Sequence, residues 1–113
     1  MISTTSINLS GSGDTNGNGT YNSGTSTPKI IPIKGGTYAF LASGTFSSGT
    51  TLTLQHKVGG AYVDIGSDAV LTAPGGCTFT TSQTELQLVV SNRTGTSAGN
   101  DNLYVEIAPI DTI

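Results

Sequence analysis

Tryptophan is absent from this 113-residue chain, and cysteine, histidine and methionine each occur once. A lone Cys77 closes no internal disulfide, so the fold does not depend on oxidation. Nor does a metal-ligand spacing involve His56, since Cys77 is the only cysteine and there is no second histidine. Charge is scarce too: only 10% of residues carry it, against about a quarter in an ordinary globular domain. The four cations, Lys29, Lys34, Lys57 and Arg93, are scattered, and the net charge is −3. Nucleic-acid grooves neutralise phosphates with clustered cations, so no nucleic-acid partner is expected. No apolar run approaches a membrane span, and none is expected to enter a bilayer. The opening MISTTSINLS has neither the basic nor the apolar region of a secretory signal, which leads us to expect synthesis in a cytoplasm wherever the protein finally acts.

What fills the chain instead is Thr, Ser, Asn, Gln and sixteen glycines, a composition rich in neutral hydrogen-bonding groups. The most ordered pattern is TTLTLQHKVGGAYVDIG, residues 50–66, whose alternation continues in phase across Gly59-Gly60. A two-residue hairpin loop there places Val58 opposite Ala61, His56 opposite Val63 and Leu54 opposite Ile65, all on the face expected to cover the core. The other face pairs Lys57 with Tyr62 and Gln55 with Asp64, and meets water or a partner.

Residues 3–9 either pair as a strand or lie along a neighbour. Residues 10–28, SGSGDTNGNGTYNSGTSTP, contain one aromatic, Tyr21, and bury too little to offset the entropy of ordering them. We therefore expect residues 1–28 to be a flexible arm or long loop and residues 29–113 to form the domain. Pro32, lacking an amide hydrogen, favours an edge strand or bulge. Residues 37–42 place Tyr38 and Phe40 on one face and Ala39 and Leu41 on the other, with Phe46 anchoring the link that follows. Residues 69–73 read as a short strand stopped by the turn Pro74-Gly75-Gly76. Residues 85–91, with Leu86, Leu88 and Val90 alternating, are the best central strand, and Leu103, Val105 and Ile107 form the inward face of the last one. Short strands, frequent turns and no helical period predict an all-β antiparallel β-sandwich or jelly-roll-like barrel.

Each reactive residue has a plainer role. His56 faces inward while Asp64 faces outward, so no carboxylate orients the imidazole, and a packed, hydrogen-bonded histidine is the favoured reading. Asp14-Thr15-Asn16-Gly17-Asn18-Gly19 matches the first half of a calcium loop, but its twelfth position is Thr25 rather than Glu; weak calcium capture stays open there. Asp64, Asp68, Glu85 and Glu106 are isolated surface carboxylates with no sign of the desolvated pocket that acid catalysis needs. The acceptor triplets at Asn8, Asn18 and Asn92 carry no weight without a secretory signal. We expect no enzyme, no catalytic, cofactor-binding or metal site, and no cofactor. Val89 puts an apolar group on the outward face, alongside Tyr38, Phe40 or Tyr62 on other strands according to the sheet face each occupies, and a second layer of the domain or an identical subunit would cover it. Ile2, Ile110 and Ile113 fit termini that contact neighbours.

The succession TLTLQHKVGGAYVDIG, AVLTAPGG, CTFTT, ELQLVVSN resembles small decoration, or cement, proteins that coat the heads of tailed bacteriophages, over residues 37–110. That resemblance implies a ligand-free β-sandwich and a homotrimer at local three-fold positions. It also implies that residues 1–28 reach across the shell to tie neighbouring major capsid subunits together. The implied place of action is the capsid surface of the virion, and no catalytic residue is carried over. The rival class is a receptor- or carbohydrate-binding module of a phage fibre or tail. For that class Tyr21, Tyr62 and Tyr104 are the available stacking platforms in a chain with only 6% aromatics.

Overall fold

The computed structural model describes residues 4–9, 28–44, 46, 50–66, 69–91 and 103–110. They form nine strands: β1 (Thr5–Leu9), β2 (Lys29–Pro32), β3 (Gly36–Gly44), β4 (Thr51–Val58), β5 (Ala61–Asp64), β6 (Val70–Leu71), β7 (Gly75–Thr81), β8 (Glu85–Ser91) and β9 (Leu103–Pro109). No α-helix occurs among the described residues. One sheet has the order β1-β9-β3-β7 and the other β2-β8-β4-β5, with β6 also pairing to β4; every pairing is antiparallel.

This order has a simple origin in the hairpin. Gly59 and Gly60 both have positive φ, 60° and 91°, the conformation a two-residue turn between right-twisting strands requires. The turn sets Val58 against Ala61 and Gln55 against Asp64, the register expected from the alternation. Around that tip the chain pairs in nested fashion: β4 with β5, β3 with β7, β2 with β8, β1 with β9. The nested pairs alternate between sheets, which is the double-sheet arrangement of a jelly roll. β3 with β9 and β4 with β8 then join the pairs laterally.

The core lies between the sheets. Ile7, Leu9, Tyr38, Phe40, Phe79, Leu103, Val105 and Ile107 enter it from the first sheet, and Ile31, Leu52, Leu54, Leu86, Leu88 and Val90 from the second. Tyr38 stacks on Phe79 with ring centroids 5.7 Å apart, and its hydroxyl donates to the Lys34 carbonyl, so the phenol is buried without an orphaned group. Phe46 is half-buried against this core, as its anchoring role requires. Pro32 lies on β2, an edge strand, and β8 is central in its sheet, both as the sequence indicates. Burying each of these leucines contributes about 1.5–3 kcal/mol before the opposing entropy.

The structure revises four details. Within residues 1–28, expected as arm or long loop, Thr5–Leu9 takes the strand alternative open to residues 3–9 and joins the sandwich, with Ile7 and Leu9 buried. Residues 10–27 lie outside the described set. Gly75 and Gly76 belong to β7 rather than to a turn. Val58 and Val63 keep the inward parity, yet they are 45% and 44% exposed, because the hairpin tip extends past the facing sheet. Lastly, Tyr38 and Phe40 point into the core between the sheets, whereas the half-buried Val89 lies on the outward face of β8. They share no surface, and none of the described elements forms a second layer over Val89.

Candidate functional surfaces

Strand register turns the outward face of the second sheet into rows. Ile30, Gln87, Gln55 and Asp64 stand side by side across β2, β8, β4 and β5. Gln87 Nε2 donates to Gln55 Oε1 at 2.5 Å, and Gln55 Nε2 donates to Asp64 Oδ1 at 2.7 Å. In the next row the Tyr62 hydroxyl donates to Glu85, and Lys57 Nζ lies 3.8 Å from the same Glu85 oxygen and 5.8 Å from the Tyr62 ring centroid. The hydrogen bond to Glu85, helped by desolvation and by the carboxylate's charge, raises the Tyr62 phenol above its usual 10.0. The third row is Val89, Thr53 and Val70. This face carries Lys57, Glu85 and Asp64 among its amides and is internally bonded, with Ile30 standing 42% exposed at its edge.

The outward face of the first sheet has a different character. Its rows are Asn8, Tyr104 and Ser43, then Ser6, Glu106, Leu41 and Gly76, then Ala108, Ala39 and Thr78. Leu41 lies across Gly76, where an added Cβ would meet Leu41 Cδ2 at 2.4 Å; the missing side chain is what lets the leucine lie flat. Beside it is an open depression of about 290 Å³ lined by Leu41, Ala42, Ser43, Gly75, Tyr104 and Glu106. Thr37 and Thr80 bond to each other at 3.0 Å at the far end of this face. At the near end, Asn8, Ser43, Tyr104 and Glu106 have no side-chain hydrogen bond among the described residues.

His56 is half-buried at the margin between the sheets. Its Nδ1 shares a 2.9 Å hydrogen bond with Thr81 Oγ1, which also accepts from the Gln83 amide. The imidazole thus ties β4 to β7 across the core margin and bonds to no carboxylate among the described residues, while Asp64 is engaged by Gln55 on the other face. Cys77 is half-buried against the core. Among the described residues, no three His, Cys, Asp or Glu side chains group as metal ligands, and no helix is long and apolar enough to cross a membrane. Asp14, Asp68, Tyr21, Asn18, Asn92, Ile2 and Ile113 lie outside the described residues. Protein-family profiles, curated proteins and solved structures yield no match to this chain. Its surfaces must therefore be read from their own chemistry.

Two features escaped the sequence. The addition of Gln87 to the expected Gln55–Asp64 pair depends on the register of β8 against β4, which no local pattern fixes. The gathering of Asn8, Tyr104 and Glu106 requires β1 to pair with β9, a contact between opposite ends of the chain. A usable hint was Asn8 itself, a polar residue between Ile7 and Leu9 in strict alternation.

Proposed function

We propose that this protein is a virion structural protein that decorates a bacteriophage capsid and stabilises it by bridging neighbouring major capsid subunits. The observation that carries the reading is the internally bonded face of the second sheet. Covering polar groups costs free energy when they lose water without gaining a partner. Gln87, Gln55, Tyr62 and Glu85 already have partners, so a protein surface that brings a donor or cation to the Asp64 carboxylate can cover them and gain from Ile30, Val89 and Val70. The resemblance to phage cement proteins and the low charge support the same reading, since few unpaired ions would be buried. A homotrimer multiplies such weak contacts through effective concentration. The constellation of nucleophile, base and orienting acid that hydrolysis requires is not assembled by the described side chains.

The test is co-sedimentation with heads of the phage that encodes the chain, stripped of it and then refilled. Ile30→Asp places an unpaired charge on the docking face and should lower occupancy about tenfold or more, while leaving the exposed site's folding intact. Unchanged occupancy, or absence of the chain from mature particles, overturns the proposal. Light scattering of the purified protein reads the trimer directly.

A further inference from the structure

We infer that the depression beside Tyr104 on the first sheet is a saccharide-binding subsite, taking one pyranose unit of a neutral glycan. This goes beyond capsid attachment and does not depend on it. A pyranose has an apolar face of C–H groups and a rim of hydroxyls, and its recognition needs an aromatic or aliphatic platform surrounded by unspent hydrogen-bonding groups. The Tyr104 site offers both. Tyr104 is 47% exposed and Leu41 39% exposed, and both line the depression. Asn8 stands directly opposite Tyr104 on β1, Ser43 opposite it on β3, and Glu106 two residues along on the same face. The Ser43 hydroxyl and the Glu106 carboxylate therefore line the depression beside one aromatic ring, the Asn8 amide flanks that ring from β1, and none of the three is occupied by another described side chain.

The other tyrosine of the described surface makes the contrast. Tyr62 has Lys57 over its ring and gives its hydroxyl to Glu85, so its stacking face and its polar tip are both in use. Glu106 discriminates between occupants at Tyr104. It is the only charged side chain among the described residues of that outward face. A second copy docked face to face would bring two carboxylates together with no cation between them, which is costly once water is excluded. Sugar hydroxyls satisfy a carboxylate as donors, and the site stays partly wet. The size is compatible: the open depression of about 290 Å³ lies near the lower bound of ligand sites and accommodates one sugar ring.

The experiment is a glycan array probed with the full-length protein, followed by amide-resolved NMR titration with the methyl glycoside of any sugar bound. Selective binding is expected, with shifts concentrated at Asn8, Leu41, Ser43 and Tyr104. Tyr104→Ala should weaken it about tenfold or more, Tyr104→Phe should leave it within about threefold, and Asn8→Ala should fall between. Matching thermal unfolding of the variants shows that folding is not the cause. No glycan bound above background, or binding that survives Tyr104→Ala, overturns the inference. So does a Tyr104→Ala variant that loses capsid occupancy in the absence of glycan binding, because the face would then be a protein-docking surface.

Discussion

Both outward faces of this sandwich mix polar side chains, a few charges and some apolar groups, yet they spend their hydrogen bonds differently. On the second sheet Gln87, Gln55 and Asp64 bond in series across three strands, and Tyr62, Glu85 and Lys57 form a second cluster. On the first sheet the groups around Tyr104 have no such partners among the described residues. A surface that has satisfied itself can be covered by a flat partner at small cost; one that has not calls for a ligand that brings donors and acceptors of its own. Composition alone does not reveal that difference, since both faces carry amides, carboxylates and a surface tyrosine.

The largest expected effects test whether this contrast belongs to the surfaces or to the cores beneath them. Leu9→Ala, below the Tyr104 face, and Leu88→Ala, below the bonded face, should each destabilise by about 2–5 kcal/mol in denaturant unfolding, because both leucines are fully buried. A negligible loss for Leu9→Ala would mean that β1 is not held in the sheet, and the Tyr104 site would lose Asn8. Next in size is the surface itself. Gln55→Ala strips partners from Gln87 and Asp64 together and should cost about 1 kcal/mol, whereas Asn8→Ala should stay within about 0.5 kcal/mol. Equal effects would erase the distinction between the faces.

The smallest effect is a titration. Tyr62 holds its proton more tightly in the folded protein than in the unfolded chain. Its contribution to stability is therefore complete below the ordinary phenol value of 10.0 and is lost as pH rises through the higher folded value. A residue-resolved NMR titration should show Tyr62 ionising above its ordinary value, and Glu85→Gln should bring it back toward the ordinary range. A midpoint indifferent to Glu85→Gln would break the cluster.

Much of this architecture was legible because alternation survives the Gly59-Gly60 turn: the hairpin register, the edge role of Pro32, the central role of residues 85–91 and the inward trio on β9 follow from local pattern. Alternation states which side a residue faces but not whether a second sheet stands opposite, which is why Val58 and Val63 keep their parity and lie open. The same limit misplaced Val89 beside Tyr38 and Phe40. Strand β1 stayed ambiguous because five residues of Thr, Ser, Ile, Asn and Leu suit either a docked strand or an arm, and only its partner β9 decides. Of the surfaces, the residue types were visible from the start; their bonding was not, since Gln55 and Gln87 meet only after β4 and β8 choose a register.

The nesting of strand pairs around one glycine turn has a kinetic corollary. Each pair encloses the previous one, so the loop that must close lengthens step by step from β4·β5 to β1·β9, and the entropy of closure rises with it. Assembly should zip outward from the tip, leaving the first strand as the final piece to seat. The last piece in is also the first to fray, and until it seats, the edge of β9 is open to the same five residues from a neighbouring chain, so exchange between copies would begin there.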